Sequence, residues 1–264
     1  MYDSSGKPRV SRHDIIAGLC DIGLKDGDLV QVHSSLSAFG YVEGGADTVV
    51  DALLEVVGPE GTVMMPTFNH GNVDIFDIEE TVSVNGAITE ALRNRPEACR
   101  SMHPTHPYAA IGYLARELVE GHLSAGTFGH QSPLGKLALW GGKVLLLGVG
   151  MNVNTAAHIG ERMGNWHCVG ERMKRCKIRD ELGHVVEARS AQWRDGECLI
   201  EWDALERAMR DRGLIDDGQI GEAEIHLMRA AEVVGTAFFL SRTLCVQCCT
   251  MPKPVEPTSE IPGE

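Results

Sequence analysis

Two apolar runs of strand length bracket a helix-length segment near the start of the chain, and this succession restricts the fold more than any other feature. Asp28-Leu29-Val30-Gln31-Val32-His33 reads as a buried strand. Ala46 to about Val57 reads as a helix ended by Gly58-Pro59, and Gly61-Thr62-Val63-Met64-Met65-Pro66 as a second strand closed by proline. A strand–loop–helix–strand unit of this kind builds a mostly parallel sheet covered by helices. The rest of the chain extends the pattern. Ser11 caps a helix running to Ile22 and stopped by Gly23. Further helices are expected over 86–95, 114–120, 202–212 and 229–240, with the apolar run Lys143–Leu147 as another strand. Arg172–Arg179 and His184–Arg189 read as two strands joined by a turn, and Ile220–Met228 alternates as a strand. The expected fold is therefore α/β: a three-layer α/β/α-like single domain, with a mostly parallel central sheet and antiparallel strands added in the C-terminal half. Residues 1–250 form that domain, and the proline- and glutamate-rich 251–264 is expected to be a disordered tail.

Composition narrows the partners. A net charge of −13 argues against nucleic acid or an anionic membrane and favours a cationic ligand. Many acidic proteins carry such charge for solubility alone. No stretch approaches the roughly 20 apolar residues that span a bilayer, and residues 1–7 lack the apolar core of a signal peptide, so a cytoplasmic protein is expected. Of eight cysteines, only Cys245, Cys248 and Cys249 cluster, which is at best half a zinc site, so no metal is expected.

Three connections carry the residues suited to chemistry. His33–Ala46 runs from a strand end to a helix start, with Ser34, Ser35, Leu36, Val42, Gly44 and Gly45 between. Small hydroxyl residues and paired glycines at a helix N-terminus let backbone N–H groups reach an anion, so the loop reads as a phosphate cradle. It can equally be a connector whose glycines only make turns. Arg100-Ser101-Met102-His103 offers a guanidinium and hydrogen-bond donors, or else a solvated loop with X-Pro turns. Gly129–Gly135, with Ser132 and Pro133, is a third such loop or a plain turn before a helix. After the 143–147 strand comes Asn154-Thr155-Ala156-Ala157-His158-Ile159-Gly160-Glu161. This places His158 beyond a strand end, where open α/β sheets gather their chemistry. Its unperturbed pKa of about 6.5 suits proton transfer at neutral pH. Glu161 lies three residues on and shares its helix face. Acidic groups for a cation pocket are Asp74 and Asp77 in the polar 67–85 loop, Glu161, and the 187–224 stretch, which holds eleven acidic residues against five arginines. Most of these are expected to be a solvated face.

In this order, the motifs resemble the aminoglycoside 3-N-acetyltransferases, the antibiotic N-acetyltransferase family. The resemblance rests on His33–Ala46 with Gly58-Pro59-Glu60-Gly61-Thr62, on Gly86–Gly112 including Arg100–Pro104, on Ser132-Pro133-Leu134, and on Leu145–Glu161. It runs from about residue 11 to 242. It implies transfer of an acetyl group from acetyl-CoA to the 3-amino group of a 2-deoxystreptamine drug, and hence antibiotic resistance. Coenzyme A would be held by His33–Leu36, Val42–Ala46, Arg100–His103 and Ser132–Pro133. His158 would be the general base, oriented by a carboxylate from the second half, Glu206 first and Glu222 second. Asp74, Asp77, Glu161 and Glu222 would meet the cationic drug. Direct transfer in a ternary complex is expected, with Thr155 or nearby backbone N–H groups stabilising the oxyanion. The chain is short in 67–85 relative to familiar members, which affects drug range. Monomer and homodimer both stay open. Rival readings are an acetyltransferase for another small amine, a metal-dependent hydrolase built on His103, His106, His158 and Glu161, and a binding module for cationic sugars.

Overall fold

The computed structural model describes residue 6 and residues 8–164, 170–180, 182–194 and 200–243. The first strand, β1 (Arg9–Val10), is followed by α1 (Arg12–Asp21), whose Ser11 and Asp14 cap each other's backbone N–H groups in a capping box. Next come β2 (Leu29–Ser34), β3 (Tyr41–Val42), α2 (Gly45–Val57), β4 (Thr62–Pro66), β5 (Ile75–Phe76) and α3 (Ala87–Arg93). The middle of the chain forms β6 (Cys99–Arg100), β7 (Tyr108–Gly112), α4 (Ala115–Val119), α5 (His122–Ala125), α6 (Pro133–Leu139), β8 (Lys143–Leu147) and α7 (Ala157–Met163). The last third forms the ribbon β9 (Gly170–Arg179) and β10 (Val185–Arg194), then α8 (Trp202–Arg210), β11 (Asp216–Ile220), β12 (Ala223–Arg229) and α9 (Ala230–Thr243).

Seven strands make the central sheet, in the order β11-β12-β8-β2-β4-β7-β6. Its centre, β8-β2-β4, is parallel, as the opening strand–helix–strand unit requires. Antiparallel strands flank it on both sides: β12 and β11 beyond β8, and β7 and β6 beyond β4. Late antiparallel strands were expected from sequence, though only a single strand was read over Ile220–Met228 where the structure has the β11–β12 pair. The pair from the N-terminal half was not, because residue alternation says nothing about direction. Strands of period two send successive side chains to opposite faces. Val30, Val32, Val63, Met65, Leu145 and Leu147 meet α1, α2 and α3 on one face. Met64, Tyr108, Val144 and Leu146 meet α4, α6, α7, α8 and α9 on the other. This is the three-layer arrangement. Each fully buried Val or Leu of the central strands contributes about 1.5–3 kcal/mol over exposure.

Several short elements escaped the sequence pattern, two of them instructive. Within the polar 67–85 segment, Ile75 and Phe76 pair in parallel with Lys177 and Ile178 of the β9–β10 ribbon, forming a second, three-stranded sheet. Two residues are too few to show a period, and their partner lies far along the chain. β11, with sequence Asp-Asp-Gly-Gln-Ile, has poor strand propensity and is held by its hairpin with β12. No helix among the described residues is long and apolar enough to cross a membrane. The 251–264 tail and the Cys245–Cys249 cluster lie outside the described residues.

Candidate active site

The parallel strands β2, β4 and β8 all end on one edge of the sheet, so the loops that follow them meet there. At the exit of β8, Gly148 has φ +66, and a Cβ there would run into the Ala38 side chain. Glycine thus lets the 35–38 turn lie against the start of the 148–156 loop. That loop leads into α7. A Cβ at Gly160 would strike the backbone of Val234 in α9, so the two helices pack at backbone contact and the position of α7 is fixed. On α7, His158 Nδ1 lies 2.5 Å from Glu161 Oε2. Glu161 is fully buried, and its other oxygen accepts the Ile200 N–H at 2.9 Å. A carboxylate accepts only, so the imidazole carries its proton on Nδ1 and Nε2 is the nitrogen with the lone pair. The ring of Phe128 lies 5.0 Å from the His158 ring, and Trp202 lies edge-on at 5.8 Å.

This geometry corrects two expectations. The carboxylate orienting His158 is Glu161. Glu206 is paired with Arg210 on the surface of α8. Glu161 in turn is unavailable to a drug, since both its oxygens are taken inside the protein. Glu222 stands on the β11–β12 turn, where its N–H donates to Phe39 O at 3.1 Å, so it neighbours the 36–39 turn.

Thr155, half-buried, sits just ahead of α7. Its Oγ1 is 3.0 Å from Gln31 Nε2, 3.2 Å from His33 Nε2 and 3.4 Å from the Tyr108 hydroxyl. His33 is therefore not a ligand-loop residue, as the sequence suggested. It is an inward-facing member of β2, and burial together with the nearby His158 brings its pKa down to about 3.

The remainder of the first loop lines open space. Ser34, Ser35, Leu36, Val42 and Gly45 border a cavity of about 710 Å³, closed on its far side by Val84 and Gly86. The N-terminal turn of the 13-residue helix α2, with Gly44 just before it and Ala46 within it, meets this groove through Gly45. Unpaired N–H groups and the helix dipole give that end a partial positive charge.

The other two loops turn inward. Arg100 gives its guanidinium to the carbonyls of Thr67, Ile78 and Thr81 and to the Thr67 hydroxyl, at 2.6–3.1 Å. Burial and the neighbouring Arg93 bring its pKa down to about 10. Arg100 is a clip for the 67–81 segment, with four of its five N–H donors spent on that segment. Ser101 is buried between the Tyr108 N–H and His122 Nδ1. His103 is buried, its Nδ1 accepting the His106 N–H and its Nε2 3.1 Å from the Ser190 hydroxyl. Ser132 is the N-cap of α6, its hydroxyl accepting the Gly135 N–H, and Pro133 is the buried first residue of that helix. None of these five residues is presented to the groove. Arg100→Ala should cost about 3 kcal/mol, since it strips charged donors from partly buried carbonyls. Arg100→Lys should not restore it, because an ammonium cannot fork to three segments. Urea unfolding checks this, and wild-type stability of Arg100→Ala would refute the clip.

A second cavity of about 400 Å³ adjoins the groove at Val84 and is lined by Asn69, Asp77, Glu80 and Arg179 among others. Asp77 is largely spent within the protein. The Glu80 N–H, with the Glu79 N–H and Arg179, holds its carboxyl below the usual range. Asp74 is exposed, between Val73 and Ile75 of the cavity wall. Next to Asn69 of the cavity wall, a row of packed rings runs from Phe68 to His158. Phe68 lies 4.6 Å from His106, His106 5.9 Å from Phe128, and Phe128 5.0 Å from His158. Among the described residues, no group of three or more His, Cys, Asp or Glu is placed to hold a metal ion.

Sequence reasoning missed Gln31, Tyr108, Phe128 and Trp202. Gln31 left a signal, being a polar residue inside a strand otherwise bounded by Leu29, Val30 and Val32. The others read as ordinary core.

Comparison with known proteins agrees with this architecture. Residues 31–240 match the family model described as aminoglycoside 3-N-acetyltransferase. Aminoglycoside N(3)-acetyltransferase IX of Micromonospora chalcea is 32% identical over 270 residues, covering 90% of this chain and 95% of that protein. The crystal structure of aminoglycoside acetyltransferase AAC(3)-Xa superposes with a TM-score of 0.81 at 30% identity, covering 89% of this chain and 93% of the other. The structure of AAC-IIIb as a binary complex with CoASH gives a TM-score of 0.77 at 27% identity, over 88% and 96% of the two chains. The chain, with its α/β sheet, its loop groove and its His158–Glu161 pair, belongs to the aminoglycoside 3-N-acetyltransferase family.

Proposed function

We propose that this protein transfers the acetyl group of acetyl-CoA to the 3-amino group of an aminoglycoside, with His158 as general base. The observation that carries the base is the His158 Nδ1–Glu161 Oε2 contact at 2.5 Å, beyond the carboxyl end of β8. A buried carboxylate on one ring nitrogen fixes the tautomer and orients the other nitrogen as the base.

The 710 Å³ groove fits the donor by its chemistry. Serine hydroxyls and the start of α2 suit phosphate oxygens, while Tyr41 and Val84 give apolar surface for a pantetheine arm. Acetyl-CoA supplies an acyl carbon activated as a thioester. The chain's own residues then handle the proton. His158 Nε2 takes a proton from the attacking amine as the new C–N bond forms. The Thr155 O–H faces the charge that develops on the acyl oxygen. When the C–S bond breaks, the departing sulfur takes up the proton held by His158, and the imidazole returns to its starting state. No cysteine is needed as a carrier, so both substrates are present together.

We place the drug at the 400 Å³ cavity, where Glu80 lines the wall and the exposed Asp74 lies between two lining residues, so that carboxylates are at hand for its ammonium groups. Removal of a proton from an amine held near carboxylates is uphill, since the same charges favour its protonated form. The work of His158 is to offset this.

The test is release of free thiol from acetyl-CoA by the purified protein, with and without an aminoglycoside bearing a 3-amino group. Drug-dependent thiol release, with a product heavier by one acetyl group, is expected. Release with a simple diamine but with no aminoglycoside would favour an acetyltransferase for another amine, and no release at all would favour a binding module.

A further inference from the structure

β2 is a central parallel strand, and every residue from Leu29 to His33 is buried. Gln31 and His33 stand on the face opposite Val30 and Val32 and are 0% and 6% exposed. Two polar side chains side by side in such a strand are costly unless each is matched to a partner. Here the partner is Thr155, 124 residues further along the chain. We propose that Gln31 and His33 are positioning residues that hold the Thr155 hydroxyl as a hydrogen-bond donor toward the reacting acyl oxygen. The inference rests on the proposed role of Thr155 and goes one layer beneath it.

Hydrogens and lone pairs in this cluster can be counted. The Gln31 amide nitrogen lies 2.9 Å from His33 Nε2 and 3.0 Å from Thr155 Oγ1. Its two hydrogens match those two contacts. His33 Nε2 is then an acceptor, and the ring proton is on Nδ1. Burial supports this by keeping the ring neutral at working pH. A neutral ring nitrogen has one lone pair, and Gln31 has taken it. Thr155 Oγ1, 3.2 Å from the same nitrogen, therefore finds no equal acceptor there for its own hydrogen. One of its lone pairs is filled by Gln31, and the Tyr108 hydroxyl at 3.4 Å can fill the other. What remains is the O–H, on a half-buried residue just ahead of α7.

The opposite amide orientation would undo this. With Oε1 turned toward Thr155, Gln31 would accept the threonine hydrogen and leave the acyl oxygen without it. His33 prevents that arrangement only as the Nδ1–H tautomer. The cost is visible in Gln31 Oε1, which is buried and has no hydrogen-bond partner among the described residues.

A double-mutant cycle in the full chain tests the proposal, using Gln31→Met, Thr155→Val and the combination, with acetyl-CoA and an aminoglycoside as substrates. Gln31→Met should lower kcat about tenfold, within the range seen when a single oxyanion donor is weakened, and leave both KM values within about twofold. In the Thr155→Val background it should have no further effect, because the two act as one unit. Gln31→Glu, isosteric but with at most one hydrogen to give where the amide gives two, should lose more activity than Gln31→Met. Wild-type activity in Thr155→Val would remove the role of Thr155 itself, and this inference with it. An impaired Thr155→Val beside a fully active Gln31→Met would overturn the positioning role alone. So would additive losses, which would assign Gln31 to packing. Should the Gln31 variants fail to fold, nitrogen NMR of the wild-type protein decides. His33 is expected as the Nδ1–H tautomer, unchanged between pH 5 and pH 8. An Nε2–H tautomer, or titration in that interval, would overturn the proposal.

Discussion

His158→Ala should lower kcat/KM for the aminoglycoside by about two orders of magnitude or more, while acetyl-CoA affinity stays near that of the wild type. General acid–base catalysis contributes roughly 10²–10⁴-fold, and nothing else among the described residues combines an oriented imidazole with this position. Coenzyme binding should be spared because the groove proposed for it is lined by residues from 34–45 and 84–87, not by α7. Glu161→Gln should also be impaired, and more severely than a surface change. It removes an acceptor buried against the His158 ring and the Ile200 N–H. Steady-state kinetics across pH measures both variants. Near wild-type turnover by His158→Ala would end its assignment as base.

The second large effect is on stability in mild acid. His33, His103 and His122 are buried, and burial is the first cause of their lowered pKa values, about 3 for His33 and about 4 for His103, with His122 well below its ordinary value. These rings stay neutral in the folded protein while they gain protons near pH 6.5 in the unfolded chain. Below that pH the unfolded state binds more protons, so stability falls as pH falls. Once the unfolded chain is protonated, each such ring contributes a slope approaching about 1.4 kcal/mol per pH unit, so His33 and His103 together approach about 3 kcal/mol per unit from about pH 6 down to about 4, and His122 adds to this. His106, lowered by burial and by His103, acts in the same direction. Against a typical total of 5–15 kcal/mol, this predicts a marked loss of stability by pH 5, before most carboxylates titrate. The paired Asp77 and Asp217 add a further loss at lower pH. Urea unfolding at a series of pH values checks the slope. A protein equally stable at pH 7.5 and pH 5 would show that these rings are protonated in the fold.

Much of the fold was legible because it is written in short-range patterns. The capping box at Ser11 and Asp14, the apolar face of α2 and the runs of β2, β4 and β8 each depend on neighbours within a few residues. The same holds for the position of His158, which needs only the end of β8 and the start of α7. The partners of polar side chains were not legible. Arg100 reads as a phosphate ligand in sequence, yet its acceptors are carbonyls 19–33 residues away. Ser132 has the hydroxyl a ligand loop would want and spends it on a helix cap. Glu161 was visible as the neighbour of His158 one helical turn on. Its buried state was not, because that depends on Ile200 arriving from 39 residues away.

The sequence by itself determined the class of fold, the edge of the sheet where chemistry gathers, and the histidine placed there, since each follows from local period and chain order. Tertiary structure alone decided which carboxylate holds His158, which loop keeps its donors open to a groove, and that Gln31 and His33 lie beneath Thr155. The physical reason is that a polar group is defined by what satisfies it. For buried groups, that partner is set by the packing of distant segments and not by the residues alongside.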